Sequence, residues 1–398
     1  MNHLSRRGFL KALSAGAGAA AGTRLAGATL IGNAFAAPAE PTTVVMIWLD
    51  GGINAIYTGA DAFTNAFGVT ANNSTAIAPG LVVDNTLANV IPQNLRTKAA
   101  AVGIRHGIAD HGQAQSRMFV ARNASGPLTL ASAIGGTGAI KAAVVGGNSL
   151  PSGARPSPVG SVSLQGINDM AATIEAVAGA TPAANAVDRD GALAGISASD
   201  IMSKTSGAKN PKSLSSVDQG RVAAVETLKK PIQPFNVDEF RTAYNLQGTG
   251  VRGFRAKMAA AELMVRTGTN FVLAADAGWD THGDSSGQTA RQMFSQRIAP
   301  GLGTFLTRVV DGASNDRNVI VALVGDFHRS LPGSDHQANL AALVIGKRIK
   351  SGTTGKTDAR VGLPPNTPSI DGFWQMLAAA AGVDASALGP NPHPTLIG

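Results

Sequence analysis

The sequence predicts an α/β fold with a mostly parallel central sheet flanked by helices, and two observations carry that expectation. Thr43–Leu49, Asn270–Ala275 and Asn318–Val324 are near-continuous apolar, β-branched runs, as strands buried on both faces of a sheet require. Helical patterns at Phe254–Val265 and Thr289–Val310 lead into the second and third runs, so helix and strand alternate along the chain. An acid follows each run: Asp50, then Asp280 in Gly-Trp-Asp-Thr-His at 278–282, then Asp326. Open α/β sheets keep ligands outside the carboxyl ends of their strands, which is where these acids should meet.

Before the first strand, residues 1–36 read as a leader, with a basic start, an Ala/Gly-rich middle and Ala34-Phe35-Ala36 as a small-residue cleavage site. Ser5-Arg6-Arg7-Gly8-Phe9-Leu10 resembles the twin-arginine export motif, which implies the twin-arginine machinery as a partner and a periplasmic or secreted destination. Arg24 and the many glycines make this stretch a poor permanent span, although an uncleaved leader acting as an anchor stays open. The leader holds Arg6, Arg7, Lys11 and Arg24 and no acid. The chain total of 33 basic and 25 acidic residues therefore leaves 29 against 25, or +4, for residues 37–398. Those charges are scattered and the aromatics few, which argues against a nucleic-acid partner. With no Cys, disulfides, thiolate metal sites and Cys nucleophiles are excluded.

Residues 37–398 are long enough for one large domain. Gly51 and Gly52 turn the chain tightly after the first strand. Lys98–Gly103 is expected to be a short strand, and Asp110 to cap a helix that begins the stretch after it. Ala142–Val145 and Asn339–Ile345 are further strands, Val222–Leu228 has a helical pattern, and Gly372–Ala381 closes the chain as an apolar helix. Between about 147 and 250 the chain is rich in Ala, Gly, Ser and Pro. That segment reads as loops and short helices covering the sheet.

Six histidines lie beyond the leader, and those at 106, 111, 282, 328 and 336 follow apolar runs. Zinc and similar divalent metals take imidazole nitrogen and carboxylate oxygen. Asp50, Asp280, His282, Asp326, His328, Asp335 and His336 could supply them, with zinc the first metal to consider. A structural reading of the same residues stays open. Asp280 could close an Asx turn, Asp335 could cap a turn after Gly333, and His111 could be a helix-start histidine.

The leader, Asp50-Gly51-Gly52, Asp110-His111-Gly112, Gly278-Trp279-Asp280-Thr281-His282, Asp326-Phe327-His328-Arg329 and Asp335-His336 together resemble the bacterial domain-of-unknown-function 1501 family. That family is similar in fold to the alkaline phosphatase and sulfatase superfamily. The resemblance implies an alkaline-phosphatase-like domain in which Asp50, Asp280, His282, Asp326 and His336 bind one or two metals. This chain departs from the family where Ser-Glu-Phe-Gly-Arg-Thr is usual, reading Gly325-Asp326-Phe327-His328-Arg329-Ser330. The final Asp-His is followed by Gln337-Ala338-Asn339 in place of glycines. No hydroxyl stands at the superfamily's nucleophile position, and the nearest downstream of His111 is Ser116.

The leading functional expectation is an exported metal-dependent hydrolase of phosphate or sulfate esters. In it Arg329 clamps a small anionic ester or glycan substrate, and the attack comes either from a metal-bound water that Asp110 and His111 orient and deprotonate, the favoured route, or from Ser116 or another hydroxyl brought in by the fold. The alternative is a non-catalytic cell-envelope protein that keeps the fold, and a structural metal, to bind a glycan or protein.

Overall fold

The computed structural model describes residues 41–398 except 64, 137, 147–157, 161, 180–190, 192–193, 199–234, 313–316 and 359. The leader, the helix expected at Val222–Leu228 and much of the segment from 147 to 250 lie outside the described residues. All the described residues fall in one compact unit, Ala37–Gly398. No helix among them is long and apolar enough to cross a membrane.

A central sheet of eight strands organises this unit. The strands are β1 (Thr42–Leu49), β2 (Ala99–Arg105), β3 (Ala142–Val145), β4 (Leu164–Ile167), β5 (Phe271–Asp276), β6 (Asn318–Gly325), β7 (Asn339–Gly346) and β8 (Gly352–Thr353). They lie in the order β8-β2-β7-β6-β1-β5-β3-β4. β6, β1, β5, β3 and β4 pair parallel, as do β2 and β8, and β7 runs antiparallel to both its neighbours. β1 sits in the middle, and every residue from Thr42 to Leu49 is buried, which is why its sequence is continuously apolar rather than alternating. The expected α/β class with a mostly parallel sheet is the one found.

Helices flank the sheet. They include α1 (His111–Met118), α2 (Gly126–Ile134), α3 (Gly253–Arg266) and α4 (Ile370–Ala380), and a long helical stretch runs through Gln288–Met293, Phe294–Ile298, Ala299–Phe305 and Leu306–Val310. α2 packs on α4, and α3 on the long stretch. Met258, Leu263 and Met264, the expected buried face of α3, are all fully buried. The same face carries a buried acid, Glu262, which accepts from Arg308 Nη2 at 2.8 Å and from the Tyr244 hydroxyl at 2.8 Å. A buried carboxylate needs such partners, and here they tie α3 to the long stretch. On α4, Trp374 lies 6.2 Å from Phe271 of β5 and gives its indole N–H to Met118 O at 3.0 Å.

The covering segment differs from expectation in its described part. Leu164–Ile167 is not a loop but the edge strand β4, paired to β3. Its sequence, Leu-Gln-Gly-Ile, lacks an apolar run because two of its residues are exposed at the rim.

Register brings the candidate residues to one end. Leu49, the last residue of β1, lies beside Asp276 of β5 on one side and Gly325 of β6 on the other. β2 ends at that edge too, since Arg105 pairs with Asn339 at the start of β7. The segments after β1, β2, β5 and β6, and the one entering β7, therefore open on the same place.

Candidate metal centre

Backbone bonds fix the loops before any side chain acts. Asp50 N donates to Asp276 O at 2.9 Å, and Trp279 N to Asp50 O at 2.9 Å, so the Gly-Trp-Asp-Thr-His loop is strapped to the end of β1. The Trp279 indole N–H reaches back to Asp276 Oδ2 at 2.8 Å. Gly283 N donates to Gly333 O at 2.8 Å, and the Thr281 and Ser334 hydroxyls meet at 2.7 Å, which holds that loop against the one carrying His336.

On this frame the ring nitrogens of two histidines and one carboxylate converge, with a third histidine beside them. His111, Asp280 and His336 offer ligand atoms that all lie within 4.8 Å of one another. His111 Nε2 is 3.7 Å from Asp280 Oδ2, and His336 Nε2 is 3.9 Å from Asp280 Oδ1. His282 Nε2 lies beside this group without belonging to it, 3.3 Å from Asp280 Oδ1 and 2.9 Å from His336 Nε2. Zinc–ligand bonds of about 2.0–2.2 Å in a tetrahedron put neighbouring ligand atoms roughly 3.3–3.5 Å apart, so these spacings suit one such ion. Asp280 and His282 are half exposed, with side-chain values of 50% and 53%, so the group is open to solvent.

Support from behind the ligands has the form metal sites use. His111 donates from Nδ1 to Asp326 Oδ2 at 2.5 Å, and His336 from Nδ1 to Ala109 O at 2.8 Å. Each bond fixes the tautomer and leaves the Nε2 lone pair facing inward. Burial foremost lowers the pKa of His336, which keeps it in the neutral form that binds metals. Phe327 packs under both rings, with centroids 4.8 Å from His111 and 4.3 Å from His336.

Several expected residues take other places. Asp326 is wholly buried and accepts from Gly51 N at 3.0 Å as well as from His111, so it orients a ligand instead of facing the centre. His328 is directed away: its Nε2 accepts from Ala341 N at 2.9 Å and lies 3.0 Å from Thr58 Oγ1. Burial drives its pKa down to about 3, so it is a neutral core histidine and not a ligand. Asp335 is exposed and stands outside the convergent group. Asp110 caps α1 as expected, its Oδ1 accepting from Gln113 N at 2.9 Å, and its side chain is exposed. His111, expected as a base, has Nδ1 bonded to Asp326 and Nε2 lying 3.7 Å from Asp280 Oδ2. Ser116 is turned back along α1, donating to Gly112 O at 2.8 Å.

Arg329 also departs from expectation. It is wholly buried, donating from Nε to Gly51 O at 2.5 Å, from Nη1 to Ser334 O at 2.6 Å and from Nη2 to Asp280 Oδ1. Its Nη2 is also 3.5 Å from His111 Nε2, a long contact. The fork is committed to the protein, so it is no substrate clamp.

Asp50 lies at the edge of the centre, accepting from Gln115 Nε2 at 2.6 Å. Burial first, and the Asp326 charge second, raise its pKa. Gln115 went unread in the sequence, yet its spacing of four from His111 puts both on one face of α1.

Residues 195–388 match the family model described as Protein of unknown function (DUF1501). That stretch contains Asp280, His282, Asp326, Arg329 and His336 and begins after the first-strand and α1 residues, so Asp50, Asp110 and His111 lie outside it. No curated protein matches the sequence. A solved structure of BT1596, a 2-O GAG sulfatase, is similar at 12% identity and a TM-score of 0.35, over 90% of this chain and 74% of that one. That likeness is too slight to assign a function.

Proposed function

We propose that the protein is a metal-dependent hydrolase of phosphate or sulfate esters, with His111, Asp280, His282 and His336 holding one divalent metal, zinc in the first instance. The observation that carries this reading is the convergence of imidazole nitrogens on a half-exposed carboxylate, with the two better-buried histidines held from behind. A purely structural zinc site is closed, whereas the Asp280 and His282 side chains are half exposed. The ester class rests on the resemblance to the alkaline phosphatase and sulfatase superfamily.

When bound, the metal would supply positive charge to polarise an ester oxygen and to make water acidic. The chain's own residues do the rest. Asp326 and Ala109 O keep His111 and His336 in the binding tautomer. Asp50, with its raised pKa and Gln115 fixing one oxygen, is the group placed to hold or accept a proton beside the centre. Ser116 has no part in this scheme because its hydroxyl is spent on α1.

The test is a panel of nitrophenyl phosphate and sulfate esters with the wild type and Ser116→Ala. Hydrolysis of at least one ester is expected, lost on chelation and restored by zinc, and Ser116→Ala should keep within about twofold of it, since surface changes rarely reach further. A metal-loaded wild type inert on every ester would favour the non-catalytic envelope-binding alternative.

Export is part of the proposal and is tested separately. Replacing Arg6 and Arg7 by Lys keeps the charge, yet should leave the protein in the cytoplasm if a twin-arginine receptor reads the pair. Unchanged export of the double variant would remove that element.

A further inference from the structure

We propose that the groove along the outer face of α1 is a binding site for a sugar-like polyol, placed to take the alcohol part of the ester. This rests on the hydrolase reading above and adds to it the class of substrate.

The groove has a volume of about 560 Å³, in the range of small-molecule sites, and is lined by Gly112, Gln113, Ser116, Arg117, Val120 and Asn123. It starts beside the centre, because Gly112 follows the ligand His111 in the chain. From there it runs along α1 to the hairpin formed by Val120–Ala121 and Ala124–Ser125.

Gly112 is the first ground. It stands within α1, where glycine is a poorer helix former than alanine. Its backbone is not left-handed, and a Cβ there would meet only Asp110 Oδ1, at 3.7 Å. Neither conformation nor packing within the chain calls for glycine here. What the missing side chain leaves is open space at the His111 end of the groove, as close approach of another molecule to the backbone requires.

The far wall is the second ground. Arg122 and Asn123 have φ of +48° and +67°, the pair of left-handed residues that a tight two-residue hairpin turn needs. Asparagine takes that conformation readily and arginine rarely, so the surroundings must hold the turn. Arg122 N donates to Asp371 Oδ1 of α4 at 3.0 Å, and Arg117 Nη1 donates to Val120 O at 2.8 Å. The hairpin is thereby fastened to α4 and to α1, and Asn123 is part of a fixed wall.

The chemistry of the lining is the third. Gln113 and Asn123 are exposed, and their side-chain amides meet no partner among the described residues. Each amide offers both donors and an acceptor, the complement of hydroxyl groups that also donate and accept. Val120, half-buried, offers an apolar surface to the C–H face of a ring. Arg117 is already engaged by Val120 O and lies 3.6 Å from Asp371 Oδ1, and the Ser116 hydroxyl donates to Gly112 O. An anion would find no uncommitted cation in this lining, whereas a hydroxylated ring finds two unspent amides.

The experiment compares the full chain, loaded with zinc, with a double variant carrying Gln113→Ala and Asn123→Gly. Alanine suits an exposed helix position and glycine a left-handed turn, so the variant should fold and take up zinc as wild type does. The substrates are glucose esterified with phosphate or with sulfate on its primary hydroxyl, set against the nitrophenyl esters. Binding of the methyl glycosides of glucose, galactose and mannose is followed by NMR titration. In the variant the kcat/KM ratio of sugar ester to nitrophenyl ester should fall about tenfold or more, and glycoside binding should weaken alike, as two lost hydrogen bonds predict. An unchanged ratio with unchanged binding would overturn the proposal. So would a wild type that hydrolyses nitrophenyl esters but neither hydrolyses a sugar ester nor binds a glycoside, and the hydrolase reading would then still stand. A wild type inert on every ester that binds a glycoside, and binds it more weakly in the variant, would support the site and bring down the hydrolase reading instead.

Discussion

Asp280→Ala is expected to lower zinc affinity by more than about a hundredfold, because losing a supporting partner alone costs about ten- to a hundredfold and this change removes a ligand and its charge. Asp280 lies near all three ligand histidines, with contacts of 3.7 Å to His111, 3.3 Å to His282 and 3.9 Å to His336. The substitution has a second effect, since it strips a buried guanidinium of its carboxylate partner. Breaking such a pair costs about 3–5 kcal/mol when nothing replaces it. Two carbonyls and the nearby Asp326 still compensate Arg329, so the loss should be at the low end of that range. Asp280→Asn separates the two effects. It keeps an oxygen for Arg329 and should unfold nearer the wild-type temperature, yet still bind zinc weakly. Thermal unfolding alongside elemental analysis of both variants checks this, and wild-type zinc content in Asp280→Ala would contradict it.

Gly51→Ala should be the most damaging single methyl in the molecule's site. Gly51 has φ +115°, and a Cβ there would lie 2.4 Å from Asp280 N and 2.7 Å from Trp279 C. Both neighbours are backbone and are strapped to β1 by the Trp279 N to Asp50 O bond, so neither loop can yield without breaking the frame. The positive φ costs about 1–2 kcal/mol for any L side chain. Overpacking against fixed atoms adds about 1–3 kcal/mol. Gly51 also gives its N–H to Asp326 and its carbonyl to Arg329, so the shift should reach the metal ligands. Gly107 is the control: its φ is +72°, with nothing within 4 Å of the added methyl, so Gly107→Ala should show the backbone cost alone. Denaturant unfolding of the two variants measures the difference, and equal losses would contradict the clash.

The central strands were legible because burial on both faces demands continuous apolar runs, and Asn318–Val324 and Asn270–Ala275 fall within one residue of β6 and β5. The direction of β7 was not, since antiparallel pairing to β6 leaves no mark on a strand that is buried along nearly its whole length. In the site, the three Asp-bearing strand ends could be read, but the division of labour could not. His328 and Arg329 are adjacent on a short strand, so their side chains leave on opposite faces, one into the core and one towards the centre. Composition treats His328 and His336 alike. Only the pairing of His328 with Ala341 separates them. Asp110 and His111 differ in the same way, one being the cap and the other the first residue of α1. Gln115 could have been found from its spacing to His111, had the helix been trusted to carry a partner for Asp50.

The most direct measurement is anomalous diffraction at the zinc edge on crystals of the zinc-loaded protein. The account expects one strong peak, about 2.0–2.2 Å from His111 Nε2, His282 Nε2, His336 Nε2 and an Asp280 oxygen. A zinc ion bound without these residues, or crystals that take up none from a zinc-containing solution, would contradict it.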